Sequence, residues 1–308
     1  AVIREFMKYE PDVVYVDRAN VLVGAILARI FRARVVLRVM GVSPAMRSFK
    51  DPGLRNRIAL WSYASPFAGI VCSEDGSGCI NWIRGQMNSS TSVISIVNGV
   101  EFASDSNQSK IRDKTDSMNV LFLARHLTSI KGSEEFLDTC LRLPDDIVGK
   151  INFVIVGTGG LEEILHAKLR RSGKRDCIKM LGDIPHREVR RLLGETDVYV
   201  SLNKMGNLSN ANLEALSAGV CCIMLEADTS ILRDESIIDK FPSDTICFVT
   251  RKNLTHSLSD CLTRLLNNPQ ERLDRARLTG RYSRDLIPTW DARMNREIQF
   301  LRDLLYAG

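Results

Sequence analysis

Short runs of consecutive apolar residues alternate with longer segments in which apolar positions recur every three or four residues, and this alternation fills almost the whole chain. The short runs have the pattern of strands buried on both faces and the periodic segments that of amphipathic helices. In the first third the pattern predicts a helix over Val2 to Tyr9, a strand over Val13 to Val16, a helix over Val21 to Phe31 and a strand over Val35 to Val39. After Gly41 come a loop and a helix through Leu60, a strand from Gly69 to Cys72, a helix from Gly76 to Met87, and a strand from Val93 to Val97 that closes on Asn98, Gly99 and Val100. This is the order of repeated βαβ units.

A polar stretch from Ser104 to Ser117, without apolar periodicity, is expected to be a linker or an exposed crossing. A second α/β series follows: strands at Asn119 to Leu123, Ile151 to Val156, Ile178 to Leu181, Val198 to Leu202 and Val220 to Leu225. They alternate with helices at Ser133 to Leu143, Leu161 to Arg171, Arg187 to Glu195 and Asn212 to Ala218, and further helices run from Leu254 onward. The expected domains are residues 1–112, residues 113–286, and a final helix at 287–308 returning to the first domain. The chain opens at Ala1 as if inside an α/β domain, which leads us to expect a truncated first domain lacking roughly 60 to 90 residues, judged against ordinary domain sizes.

A length of 308 residues exceeds one ordinary core, and 44% hydrophobic with 26% charged residues is a globular composition, so two folded domains are expected. No apolar run is long enough to span a bilayer, and residues 1–10 lack the regions of a signal peptide. Cys72, Cys79, Cys140, Cys177, Cys221, Cys222, Cys247 and Cys261 form no C-x-x-C pair, so reduced thiols and a cytoplasmic location are expected. Four dispersed histidines argue against a metal site. The net charge of +5 is concentrated early, in Arg29, Arg32, Arg34, Arg38, Arg47, Lys50, Arg55 and Arg57. This basic stretch is either a solvated face or a docking surface for anionic lipid or a phosphorylated acceptor; without interleaved aromatics, nucleic acid is not expected. Around Arg47 to Arg57 lie Phe49, Leu54, Ile58, Leu60 and Trp61. A surface helix packed on its apolar side is the expectation, with a membrane-docking helix at the inner membrane face as the alternative.

Two segments carry candidate chemistry. In the first, the strand over Val120 to Ala124 ends in Arg125 and a short loop presents Lys131 and Gly132 before a helix. A fixed guanidinium and an ammonium at a strand's C-terminal end suit a diphosphate, and surface charges at an ordinary turn are the plain alternative. In the second, Gly206 to Gly219, polar residues precede a short helix whose amides and dipole favour phosphate, with Glu214 one turn on as an acceptor for ribose hydroxyls. The plain alternative is a helix capped by Asn210 with a solvated Glu214. The turn Gly157-Thr158-Gly159-Gly160 alone is weak, since a dinucleotide oxidoreductase requires G-x-G-x-x-G in the first βαβ unit.

Taken together with Val154 to Gly160 and Met180 to Pro185, these segments resemble the C-terminal domain of family-four glycosyltransferases of GT-B architecture, over about Asn119 to Glu226. Pro11-Asp12, Asn98 to Glu101 and Trp290 to Arg293 resemble other parts of that family more weakly. The resemblance implies two Rossmann-like parallel-sheet domains facing a cleft, and a retaining hexosyltransferase-type enzyme that passes a sugar from a nucleotide-diphosphate donor to a sugar, lipid or glycan acceptor. It implies that Arg125 and Lys131 hold the diphosphate, the amides near Asn210 and Ala211 the distal phosphate, Glu214 the ribose and the region of Ile184 the base, with Gly157 and Gly159 in the glycine-rich turn. The sugar nucleotide is then a co-substrate, and no cofactor or metal is implied.

Two positions depart from the family pattern: Gly206 stands where the family has the first of two glutamates, and Met40 where it often has a histidine. Both departures fall on sugar contacts, and Asn207 or Asn210 is expected to replace the missing acid with a neutral hydrogen-bonding group. The alternative reading is a non-catalytic relative, a nucleotide-binding or scaffold protein that has lost its sugar contacts. A nucleotide-sugar epimerase ranks below both, for want of a catalytic acid pair.

Overall fold

The computed structural model describes residues 2–43, 46, 53–86, 91–102, 117–174, 176–227 and 237–306. The expected crossing lies outside the described residues except for Ser117, and so do Arg47, Phe49, Lys50, Asp51 and Met87. Two compact units are formed, one by the described residues of 1–99 and 288–308, the other by those of 100–228 and 237–287. No helix among the described residues is long and apolar enough to cross a membrane.

In the first unit, strands β1 (Val14–Asp17), β2 (Val35–Met40), β3 (Gly69–Ser73) and β4 (Ser92–Ile96) lie parallel in chain order. Helices α1 (Val2–Tyr9), α2 (Val21–Arg29), α3 (Leu54–Tyr63) and α4 (Cys79–Arg84) connect or precede them. The two-residue period of β2 sends Val35, Leu37 and Val39 to a core shared with Leu27, Ile70, Cys72 and Ile83, while Val36 joins Val71 and Ile96 in a separate cluster. Helix α3 departs from the expected packing. Its stripe at Leu54, Ile58 and Trp61 is 74%, 42% and 42% exposed, while Ser62 and Tyr63 are the buried residues. Helix α3 packs against α2, and Arg29 of α2 lies 4.8 Å from the centre of the Trp61 ring.

The second unit is a six-stranded sheet of β5 (Met118–His126), β6 (Ile151–Thr158), β7 (Ile178–Met180), β8 (Val198–Ser201), β9 (Cys221–Leu225) and β10 (Ile246–Val249), in spatial order β10-β9-β8-β5-β6-β7 with every pairing parallel. Its helices are α5 (Ser133–Arg142), α6 (Asp145–Val148), α7 (Glu162–Ser172), α8 (His186–Gly194), α9 (Asn210–Ser217), α10 (Leu254–Asn267) and α11 (Pro269–Leu286). The sequence pattern misses β10 and α6, each only four residues long, too short for either period to register. Alternate residues of β5, Met118, Val120, Phe122 and Ala124, enter the main core, where the Phe136 ring stacks on Phe122 at 4.7 Å and meets Phe153 edge-on at 6.0 Å.

From β5 the chain winds outward to β6 and β7, then crosses back to β8 and winds the other way to β9 and β10. The loops after β5 and β8 therefore leave two adjacent strands in opposite directions and open a crevice at their C-terminal ends, where doubly wound sheets bind ligands. The last helix, α12 (Trp290–Tyr306), belongs to the first unit and lays Phe300, Leu301 and Leu304 against Val36, Val71 and Ile96. Within it Arg293 is wholly buried and ion-paired with Glu297, which also accepts a hydrogen bond from Tyr15 of β1.

Candidate active site

The loop after β5 is shaped by one glycine. Gly132 has a φ of 73°, and a Cβ there would collide with the Leu202 side chain and lie 2.9 Å from its carbonyl oxygen, so only glycine lets this loop rest on the end of β8. The short 3-10 turn Ser129–Lys131 precedes it, and the amide of Lys204 donates to the Ile130 carbonyl at 2.9 Å, stitching the β5 and β8 loops together. Lys131 is thus held, half-buried, beside the switch point, while Arg125 at the end of β5 is exposed and without an ion-pair partner among the described residues.

The β8 loop is built on buried amides. Tyr199, fully buried in β8, donates its phenol proton to Asn212 Oδ1 at 2.8 Å. Asn212 Nδ2 donates to the Asn207 carbonyl at 2.9 Å, and Asn207 Nδ2 donates to the Leu225 carbonyl of β9 at 3.1 Å. Asn203 Nδ2 closes the turn on the Gly206 carbonyl at 2.6 Å. Burial pushes the Tyr199 phenol well above its ordinary value, so it is a permanent donor at neutral pH. Three of these four side chains, Tyr199, Asn203 and Asn212, carry no local sequence signal, because each acts on an atom that the fold brings to it.

Helix α9 begins at Asn210, two residues earlier than its apolar pattern suggests, and its N-cap is Ser209 in place of the expected Asn210: the Ser209 hydroxyl accepts from the Asn212 amide at 3.4 Å. The first-turn amides, those of Asn210 and Ala211 among them, face off the helix end. One turn on, the half-buried Glu214 meets the His186 ring, with Nε2 to Oε1 at 3.0 Å. His186 opens α8 directly after Ile184 and Pro185, so the loop carrying Ile184 and the helix carrying Glu214 are joined by this contact.

Gly157 and Gly159 have φ values of 129° and 140°. A Cβ on Gly157 would strike the Ala124 carbonyl, and one on Gly159 would lie 3.0 Å from the Leu127 amide nitrogen. Both glycines therefore let the end of β6 press against the end of β5, where Leu127 N donates to the Thr158 carbonyl at 2.6 Å. Gly157 N in turn donates to the Gly182 carbonyl at 2.8 Å, fixing the loop before Ile184.

A charge pair and an arginine bear on the same two loops. Lys204 is ion-paired with Glu135 in the first turn of α5, and the other Glu135 carboxylate oxygen is buried without a partner among the described residues. Arg251, beyond β10, donates to the Glu226 carbonyl at 2.9 Å and to the Lys204 carbonyl at 3.2 Å. Met40 sits 57% exposed at the end of β2 in the first unit, and Gly206 lies in the β8 loop without a side chain to contribute.

Both units are parallel α/β sheets, and together they define the GT-B class of glycosyltransferase folds. HepE of Anabaena, crystallised with UDP, aligns with a TM-score of 0.75 at 16% identity over 98% of this chain and 81% of that one. Sucrose-phosphate synthase of Thermosynechococcus elongatus aligns with a TM-score of 0.76 at 13% identity over 100% of this chain and 77% of that one. Residues 117–268 match the family described as glycosyl transferases group 1, a span that contains β5 to β10 and the switch-point crevice. The amylovoran biosynthesis glycosyltransferase AmsK of Erwinia amylovora is 30% identical over 124 residues, which make up 38% of this chain and 30% of that protein, so the match spans less than a third of that relative.

Proposed function

We propose that this protein transfers a sugar from a nucleotide-diphosphate donor to an acceptor hydroxyl with retention of configuration. The observation that carries this reading is the convergence of Arg125, Lys131 and the start of α9 on the β5–β8 switch point of a group 1 domain. Negative charge grows on the diphosphate as the glycosidic bond breaks, and fixed donors aimed at that charge stabilise the transition state more than the ground state. Arg125 offers a planar fork and Lys131 a point charge to the diphosphate, and the amides of Asn210 and Ala211 take the distal phosphate. Glu214 accepts from the ribose, the base lies beside Ile184, and Gly157 and Gly159 keep the neighbouring turn free of side chains. Retention follows if the acceptor attacks from the face the diphosphate leaves and passes its proton to the departing phosphate.

Several aligned structures hold UDP, among them HepE and a pneumococcal O-GlcNAc transferase, GtfA, solved with UDP and GlcNAc, so UDP heads the ligands to be tried. Thermal unfolding of the chain with UDP, GDP, ADP and CDP, beside Lys131→Ala, is the test. A ligand at 100 times its Kd adds about 2.7 kcal/mol to stability. A melting shift with one nucleotide that vanishes in Lys131→Ala supports the reading; no shift with any of them removes it.

One observation favours a second reading, a nucleotide-binding relative without transfer activity. Gly206 offers no acid, and the Asn207 side chain is turned into the loop toward Leu225, away from the sugar role expected of it. Release of nucleoside diphosphate from a bound sugar nucleotide in the presence of acceptor separates the two readings.

The exposed stripe of Leu54, Ile58 and Trp61, beside Arg29, Arg55 and Arg57, further suits peripheral contact with an anionic membrane face, where a lipid-linked acceptor would be presented. Flotation with phosphatidylglycerol vesicles that persists unchanged in a Leu54→Ser, Ile58→Ser, Trp61→Ser variant would remove this surface from the account.

A further inference from the structure

The side-chain contact between His186 and Glu214 spans an unusual distance in the topology. Helix α8 follows β7 at one edge of the sheet and α9 follows β8, and in the sheet β5 and β6 stand between those two strands. Three strand spacings amount to about 14 Å. The contact therefore reaches over the C-terminal ends of β5 and β6, along the rim where the crevice opens. No local secondary-structure requirement explains it: α8 starts at His186 with Pro185 as its N-cap, and α9 is capped by Ser209.

A carboxylate only accepts, so His186 Nε2 carries the proton and donates to Oε1. Among the described residues no other side chain bonds the Glu214 carboxylate, and its side chain is 26% exposed on a helix whose other neighbours, Asn212, Leu213 and Ala215, are buried. A glutamate has three rotatable side-chain bonds, and ordering them on ligand binding costs affinity unless another contact has already ordered them.

We propose that His186 is a positioning residue for ribose recognition: by holding Oε1 of Glu214 it presents Oε2 to the sugar hydroxyls of a ribonucleoside diphosphate, and so sets the preference for ribose over deoxyribose. This rests on the donor reading of the same site. A site whose polar group is fixed in place to receive a hydroxyl discriminates strongly against an analogue that lacks one, because the carboxylate is then left desolvated and unpaired.

The test is isothermal titration of the full chain with UDP, GDP, ADP and CDP, and with the 2′,3′-dideoxy counterpart of whichever binds, in the wild type, His186→Ala, His186→Gln and Glu214→Ala. His186→Ala is expected to lose about tenfold in affinity for the ribonucleotide, the worth of one hydrogen bond to a charged group, and to leave the dideoxynucleotide unchanged. His186→Gln, which restores a donor, recovers most of the loss, and Glu214→Ala binds both nucleotides alike. The His186 side chain is 61% exposed, so the nucleotide-free melting temperature stays where it was. Equal losses for both nucleotides in His186→Ala would mean that the ring meets the base instead, and overturn the proposal, as would no loss at all. If the wild type binds none of the four nucleotides, the donor reading itself falls and this inference with it. Binding that depends on Glu214 but ignores His186 overturns this inference alone.

Discussion

Replacing Asn212 with alanine tests whether the buried amide chain, and not ligand contact, is what shapes the β8 loop. Asn212 is 1% exposed; it accepts from the Tyr199 phenol at 2.8 Å and donates to the Asn207 carbonyl at 2.9 Å. The alanine variant strands a phenolic proton and a carbonyl inside the protein, at about 1–3 kcal/mol each. Ser201 lies close enough to interact with the phenol, so part of the first cost is recovered and a total of about 2–4 kcal/mol is expected. In a domain of this size that lowers the melting temperature by roughly 5 to 12 °C. Trp61, Trp82 and Trp290 all belong to the first unit, so tryptophan emission reports that unit, whereas far-ultraviolet circular dichroism reports both. The expected outcome is a lowered dichroism transition with the emission transition in place. Nucleotide affinity should fall even at temperatures where Asn212→Ala is folded, because the Asn207 backbone has lost its anchor. A dichroism transition within 1 °C of wild type would refute the reasoning, since it would mean that the amide chain carries no net stability.

Gly157→Ala forces a Cβ into the Ala124 carbonyl at a φ of 129°, and a loss of at least about 3 kcal/mol is expected, read as a lowered dichroism transition or as insoluble expression. Glu297→Gln leaves the Arg293 guanidinium buried and unpaired, and should cost the first unit about 3–5 kcal/mol in urea unfolding followed by tryptophan emission; Arg293→Leu with Glu297→Met should recover much of it. Burial holds the phenols of Tyr15 and Tyr199 above their ordinary value and pushes that of Tyr63 up to about 12. A pKa raised by folding contributes stability that is complete below pH 10, the unfolded value, and is lost as pH rises toward the folded one. Melting temperature should therefore drop steeply above about pH 10, and less steeply in Tyr63→Phe; a flat profile to pH 11.5 would contradict the burial of these phenols.

The parallel sheets are legible because strands covered on both faces are written as unbroken apolar runs, as in Val120 to Leu123 or Val220 to Leu225. The two cations also reveal themselves locally, since Arg125 ends a strand and Lys131 precedes a helix, and the fold brings both to the switch point. The helix cap falls on Ser209, one residue before the expected Asn210, because it is the Ser209 hydroxyl that reaches the Asn212 amide. The partner of Asn207 is hidden for a different reason: its amide turns to a carbonyl on β9, 18 residues away, an acceptor that exists only once the sheet has formed. His186 is hidden in the same way, 28 residues from its partner. In α3 the apolar stripe stays exposed while Ser62 and Tyr63 are buried, because an apolar period alone does not say which way a helix turns.

Gly132 and Gly157 have a consequence for how this protein tolerates change. Each sits where two chain segments approach more closely than any side chain permits, and neither has a side chain with which to hold a ligand. In a saturation-mutagenesis screen for activity, these two positions should nevertheless rank among the most intolerant, alongside the charged residues they support. A map of loss would then mark the crevice by its scaffolding as much as by its charged side chains.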